Sequence, residues 1–398
     1  MSGHALALVG AVDPALLDLV ELSLTGEDCL VIRASLLPDV DDGVVRLTSW
    51  GHGGAAALDL RELAGGPAVV DVPIPTDCLT CSLREVLLAV AEDRARDEPQ
   101  GTTVVLLPPA IELPHLVPGL AHDLEEMAQE EDIQAPAQAH LAGVAHLIDA
   151  ERALADLLDH HPLTESGLAL SEHDTRCTGE VHLVNLGYAD VIVSVGHEAA
   201  ESGADLVEHL RPLDTLLLPG LDAPLLDCLL NTAHDADSAL RHVHPATTQA
   251  WGGPDQHGVW TLDLSATLPF HPVRLREMVA ELAGRGLCAR GCFWLPSRPG
   301  RVCAWEVVGG SVNLGDAGTW SEAPPGLPER ESIGGAGTSV DTTEPHCHLV
   351  VTGVGDEEQK RAVEAAFAAV LLREDELADS LAWIGAADGL ENWFGEEA

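Results

Sequence analysis

The sequence predicts an α/β fold: a domain built on a mostly parallel sheet, followed by a small α+β domain. Three observations carry this. The chain has 398 residues, too many for one ordinary hydrophobic core. Short apolar runs alternate with helical patterns over about the first 245 residues, the mark of strands covered by helices on both faces. Beyond a polar stretch the order changes to strands with helices set on one side.

Taken in order, Ala5 to Gly10 reads as a buried strand and Pro14 to Leu24 as a helix. Cys29 to Leu36 and Val44 to Trp50 are two further strands. Ser82 to Ala95 places Leu83, Val86, Leu87 and Val90 at helical spacing. Thr102 to Leu107 is β-branched and apolar, hence a central strand. Leu141 to Ile148, Ala189 to Val195 and Leu213 to Leu218 resemble it, with helices over Ala150 to Leu158 and Glu198 to Leu210 between them. This first domain spans 1–231. Residues 232–257, polar and rich in His, Gly and Pro, read as a linker. The second domain spans 258–385. Its strands are Gly258 to Ser265, Cys288 to Trp294, Val302 to Val308, Ser311 to Leu314 and His348 to Val354, with Gly309-Gly310 as a hairpin turn. Its helices are Pro272 to Leu282 and Glu357 to Leu371. Residues 318–344, dense in Gly, Pro, Ser and Thr, read as a mobile loop.

Composition narrows function. Sixty-five acidic residues face 20 basic ones, giving a net charge of −45, and Lys360 is the only lysine. Such a surface repels phosphate backbones, so neither direct DNA binding nor an anionic membrane is expected. Basic proteins or metal ions suit it better, and solubility or salt tolerance would account for it equally. The start, Met-Ser-Gly-His and a short apolar run, has no basic leader. Apolar runs stay well short of the ~18 residues a membrane span needs. The nine scattered cysteines fit a reducing cytoplasm.

The first strand and helix frame a place where a phosphate-binding loop would sit. Such a loop needs a Gly-rich turn, a Lys to neutralise phosphate and a Ser/Thr to hold magnesium at the helix start. The residues are Gly10-Ala11-Val12-Asp13-Pro14-Ala15-Leu16-Leu17. Only Gly10 fits. Ala15 stands for the second Gly, Leu16 for the Lys and Leu17 for the hydroxyl, while Asp13 would oppose phosphate with like charge. After Thr102 to Leu107 come Pro108-Pro109-Ala110, where a metal-binding acid and a Gly belong. After Ala189 to Val195 come Gly196-His197-Glu198, where a guanine reader has Asn, Lys and Asp; only the carboxylate of Glu198 survives. Gly10, Asp13 and Glu198 are therefore read as vestiges of a nucleotide site. GTP with Mg²⁺ is not an expected cofactor, and catalytic residues are not assigned.

Asp77-Cys78-Leu79-Thr80-Cys81-Ser82-Leu83-Arg84 opens a helix after Pro75. Two thiols at this spacing reach one ion, and a helix start favours thiolate. They supply two ligands, so a tetrahedral zinc site stays incomplete without donors from elsewhere. Buried or redox-active cysteine is the competing reading.

The motif resembles the Cys-x-Cys-Cys-x-Leu-Arg signature of CobW-like GTPases and metallochaperones, with Thr80 at the middle Cys. Leu141 to Ala150 resembles the family strand that ends in Val-Asp-Ala, and Tyr188 to Val193 the run into its guanine reader. Leu268 to Leu275 and Arg290 to Pro299 resemble its C-terminal domain. Within that family Cys78, Cys81 and Arg84, beside a degenerate phosphate loop, resemble the actinobacterial ribosome hibernation factor-recruiting (Mrf-type) proteins. The resemblance implies a P-loop-NTPase-like first domain and a cytoplasmic role in zinc limitation. Its implied partners are the ribosome and a hibernation-factor protein, with zinc at Cys78 and Cys81 and Arg84 as a functional motif residue. The alternative is a divergent GTP-binding zinc metallochaperone.

Other groups carry weaker signals. His346 and His348 flank Cys347 on a strand and share one face; ordinary strand-edge residues are the simpler reading. His160, His161, His234, His242 and His244 lie near acids and could form a loose zinc-responsive surface, but solvated side chains are the simpler reading. Arg274, Arg276, Arg290 and Arg298 form the one basic neighbourhood, expected to pair internally with Glu277 and Glu281.

Overall fold

A computed structural model describes residues 3–37, 43–50, 68–74, 78–129, 138–197, 200–254, 256–326, 344–355, 357–377 and 380–394. The chain divides into two compact units. The first comprises Met1–Glu151, His161–Ala199 and Leu213–Ala239; the second comprises Arg152–His160, Ala200–Pro212 and Leu240–Ala398. The division is interleaved, whereas the sequence suggests a single boundary near 231.

The first unit carries β1 (His4–Ala11), α1 (Pro14–Ser23), β2 (Leu30–Leu37), β3 (Val44–Trp50), β4 (Ala68–Pro73), α2 (Leu79–Asp97), β5 (Thr102–Leu106), α3 (Leu113–Gln129) and β6 (Ala139–Asp149). After α4 (Ala153–Leu158) come α5 (Thr178–Tyr188), β7 (Val191–Val195), α6 (Glu201–Leu210), β8 (Leu216–Leu218) and α7 (Leu225–Asn231). The eight strands are ordered β4-β3-β2-β5-β1-β6-β7-β8. From β2 to β8 all pairings are parallel; β3 and β4 extend the edge antiparallel. Alternation along β1 sends Ala7, Val9 and Ala11 to one face, where they pack with Leu16, Leu17 and Val20 of α1 and Leu225, Leu226 and Leu229 of α7. Helices α2, α3 and α5 cover the other face. The chain leaves β1 for β2 on one side and crosses from β5 to β6 on the other. The carboxyl ends of β1, β5 and β6 therefore meet at a topological switch point, where open α/β sheets place ligands. Helix α3 lacks a marked sequence signal because Pro118 lies inside it. Pro at that point removes one backbone donor, and five buried apolar residues along the helix outweigh the loss.

The second unit contains α4 and α6 together with α8 (Ala236–Val243, continuing from the first unit), β9 (Val259–Ala266), α9 (Pro272–Leu282), β10 (Leu287–Phe293), β11 (Arg301–Val308), β12 (Ser311–Thr319), β13 (Cys347–Val354) and α10 (Glu357–Val370). Its sheet runs β12-β11-β10-β13-β9 with every pairing antiparallel. Phe270 stacks on Phe293 with ring centroids 5.0 Å apart, and Trp305, Phe367 and Val370 complete a core beneath α9 and α10. Gly309 and Gly310 both have positive φ, 57° and 69°, as a two-residue hairpin between Val308 and Ser311 requires. Gly291 is held for space: a Cβ there would lie 1.9 Å from the His348 carbonyl oxygen.

Two expectations are corrected. Residues 232–257 are not a plain linker: Asp235 accepts from the Ser238 amide at the start of α8, and a 3₁₀ turn at Pro245–Thr247 buries Ala246 against Cys292, Val302 and Trp320. Strand β12 runs on to Thr319, past the expected end at Leu314, because it pairs with β11 as far as Arg301. Most of the expected mobile loop, residues 327–343, lies outside the described residues.

Candidate functional site

At the carboxyl end of β1 the chain turns through Val12 and Asp13 into α1. The Asp13 carboxylate accepts a hydrogen bond from the Ala15 backbone N–H at 2.9 Å. An internal anion thus takes an amide at the helix start that would otherwise face a phosphate. Leu16 and Leu17, which stand where the cation and hydroxyl belong, are buried with Leu218 of β8 and Leu225 of α7. Gly10 sits over the core, with His146 Nδ1 3.7 Å from where its Cβ would be.

Apolar side chains close this end. Val12, Ala110, Leu163 and Val181 form a buried cluster, with Leu168 and Ala169 packed against it. Ala110 takes the position expected of a Gly and has φ 61°, a left-handed backbone that costs a residue with a Cβ about 1 kcal/mol. Its carbonyl accepts from Arg176 Nη1 at 3.2 Å. Arg176 also binds Glu112 at 2.9 Å and Asp174 at 2.8 Å. Hydrogen bonds from Arg176 hold the Asp174 carboxyl down at about 2. Burial opposes charge on Glu112, but His115 and Arg176 outweigh it and keep its carboxyl below the usual range. The cation at this site is therefore committed to the protein's own carboxylates. Glu198, expected as a vestige of a guanine reader, lies outside the described residues.

Just inside the sheet, His146 of β6 and His182 of α5 share a hydrogen bond of 2.9 Å. His146 is fully buried, its Nδ1 has no partner among the described residues, and burial pushes its imidazole well below the usual range. No sequence signal sets this pair apart, since each His lies on an apolar element.

Cys78 caps α2, its sulfur accepting from the Cys81 amide at 3.3 Å. The two sulfurs are 2.6 Å apart and both residues are exposed. The hydrogen bond from Cys81 lowers the Cys78 thiol below its usual range and raises Cys81. Arg84 follows on the same side of α2. Its Nε lies 3.2 Å from Asp123 of α3, and its guanidinium crosses Gly119, where a Cβ would come within 2.6 Å of Nη1. Arg84 thus ties the start of α2 to α3, a role the motif alone does not reveal. Asp77 lies outside the described residues. Among the described residues there is no group of three or more His, Cys, Asp or Glu side chains suited to a metal ion. The chemistry of two exposed thiols suits zinc, and Cys78 and Cys81 are the residues that would hold it, with further ligands drawn from elsewhere.

The weaker groups resolve differently from expectation. Arg274 pairs with Glu376 at 2.7 Å and Arg298 with Asp388 at 3.1 Å, while Arg290 approaches Glu306 at 3.9 Å. The pairing is internal, but Glu277 and Glu281 are not these partners, because tertiary contacts replace the helical neighbours that sequence offers. His346 is buried against Cys292 and Trp320, and His348 bonds Asp263 at 2.6 Å. His234 is not solvated: its side chain lies between Asp190, at 2.9 Å, and the Tyr188 hydroxyl, at 3.3 Å. No described helix is long and apolar enough to cross a membrane.

Comparison with known proteins bears on both units. Residues 259–371 match the cobalamin synthesis protein cobW C-terminal domain. The chain is 24% identical over 332 residues to a Mycobacterium tuberculosis protein named zinc chaperone Rv0106, covering 79% of this chain and 78% of that one. An uncharacterised Mycobacterium bovis protein matches to the same extent. A Zn(II)-bound triple mutant of the YjiA GTPase aligns over 94% of this chain and 100% of its own, at 13% identity and a TM-score of 0.32. Residues 259–371, which carry the antiparallel sheet from β9 to β13, thus match the cobW C-terminal domain.

Proposed function

We propose that this chain is a CobW-like protein that does not hydrolyse GTP and acts in the response to zinc limitation, recruiting a hibernation-factor protein to the ribosome in the cytoplasm. The observation that carries the first part is the burial of Leu16 and Leu17 where a cation and a hydroxyl would be needed. Phosphoryl transfer is catalysed by positioning and charge neutralisation, and this end of the sheet offers a buried apolar cluster instead. The exposed Cys78–Cys81 pair and the likeness to a protein named zinc chaperone favour zinc as the signal. The ribosomal role rests on the resemblance of Cys78, Cys81 and Arg84 to the motif of the Mrf-type proteins. Zinc on the thiolates would hold the start of α2 in a form that excludes the partner, and its loss would free that form. Linkage requires the partner to bind the zinc-free state more tightly.

The test is a pulldown of a purified hibernation factor with and without a zinc chelator. The expected result is binding that rises on chelation in the native chain and is indifferent to zinc in the Cys78→Ser, Cys81→Ser double variant. Zinc dependence that survives in the double variant removes the sensor. The likeness to a zinc chaperone also favours a second reading, a divergent GTP-binding metallochaperone. Calorimetry with GTP and Mg²⁺, and phosphate release, decide between them: turnover lost on changing Gly10 or Asp13 selects the enzyme.

A further inference from the structure

We infer that Cys78 and Cys81 are a reversible redox pair that closes to an internal disulfide by exchange with a low-molecular-weight disulfide. This goes beyond the zinc reading and stands without it. Two observations carry it. The sulfurs lie 2.6 Å apart at the start of one helix, so the bond of about 2.05 Å forms without unwinding the helix. Both thiols are exposed, while the other seven cysteines are buried or half-buried, so a soluble oxidant meets this pair first.

The exchange balances in two steps. Cys78, as the thiolate, attacks one sulfur of R–S–S–R; a mixed disulfide forms and the other half leaves as R–S⁻. Cys81 then gives its proton to solvent, and its sulfur attacks the Cys78 sulfur and expels the second R–S⁻. The cysteines lose two electrons and two protons, and one R–S–S–R becomes two R–SH. Closure takes both sulfurs out of any metal's reach, so an oxidant would mimic zinc loss at this site.

The test uses the full chain, reduced and freed of metal. It is equilibrated in buffers of reduced and oxidised glutathione, quenched by alkylation and examined by intact and peptide mass spectrometry. The expected species is lighter by two hydrogen atoms, is blocked to alkylation at Cys78 and Cys81 alone, and is fully restored by excess reduced glutathione. In Cys78→Ser or Cys81→Ser the remaining cysteine is expected to keep a glutathione adduct. A native chain that stays alkylatable at both positions, or that accumulates the adduct in place of the internal bond, overturns the proposal. Zinc affinity is measured separately on the reduced chain. Disulfide formation without zinc binding defeats only the zinc reading, and zinc binding without disulfide formation defeats only this one.

Discussion

Replacing Leu17 by Thr restores the hydroxyl of a working phosphate loop and tests whether this end of the sheet is core or cradle. Leu17 has no exposed surface and packs with β1, β8 and α7. The change removes about two buried methyl-sized groups, near 0.8 kcal/mol each by transfer. It leaves a cavity whose walls relax only in part. The new hydroxyl adds about 1–3 kcal/mol if it finds no partner among those side chains. The sum is about 3–4 kcal/mol, a large fraction of the 5–15 kcal/mol that typically holds a domain together. Urea unfolding followed by far-ultraviolet circular dichroism reads it directly. With a slope of roughly 2 kcal/mol per molar urea, the first transition should fall by about 1.5–2 M. Calorimetry with GTP and Mg²⁺ on the same variant should stay flat. An unchanged midpoint together with new Mg²⁺-dependent GTP binding would refute the reasoning, because it would place the side chain in a solvated cradle.

Further outcomes follow from the same geometry. Arg176 holds the Asp174 carboxyl at about 2, below its unfolded value of about 3.9. That contribution is present above pH ~4 and is lost as the pH falls towards 2, so Arg176→Met should flatten acid unfolding in that range, measured by circular dichroism. His146 is held well below its usual range by burial, so the unfolded chain takes its proton first as pH falls. Stability should drop below pH ~6.5 by up to about 1.4 kcal/mol per unit, and His146→Leu should shrink that slope; an unaltered slope would show that other groups set it. Gly291→Ala drives a Cβ into the His348 carbonyl and should cost more than about 2 kcal/mol, with loss of the cooperative transition of the second unit.

The parallel sheet was readable because its strands are short, β-branched and apolar on both faces, as Thr102 to Leu106 and Val191 to Val195 are. Helix α9 was readable to the residue because Pro272 marks its first turn and His271 caps it. Helix α5 was not, since burial on nearly all sides erases the period that reveals a surface helix, and α7, seven residues long, is too short to show one. At the candidate site, the missing Lys and hydroxyl could be read from Leu16 and Leu17. What fills the gap could not, because Leu163 and Val181 come from segments distant in sequence. Arg176 likewise finds Glu112 across 64 positions, a separation that no local pattern encodes. The proximity of the Cys78 and Cys81 sulfurs was implicit in their spacing, whereas the tie from Arg84 to Asp123 was not.

Sealing one end of the sheet limits where a signal can arise. In a nucleotide switch, the loops after β1 and β5 have two arrangements that the terminal phosphate selects. Here Val12 and Ala110 lie in one dry cluster, and Arg176 pins the Ala110 carbonyl, so a second arrangement would break buried packing and a paired cation together. The two thiols at the start of α2 lie outside such packing. Cys78 and Cys81 are exposed, and the ion pair from Arg84 to Asp123 of α3 beside them is half-exposed, worth at most about 1 kcal/mol, while buried packing of α2 begins at Ser82 and Leu83. A ligand or a covalent bond at the two sulfurs can reshape this helix end at small cost to the fold. On the proposed reading, a signal is therefore expected to act at the thiols rather than at the turn after β1. Asp123→Asn should accordingly alter the response to zinc or oxidant, while Leu163→Ala should alter stability alone.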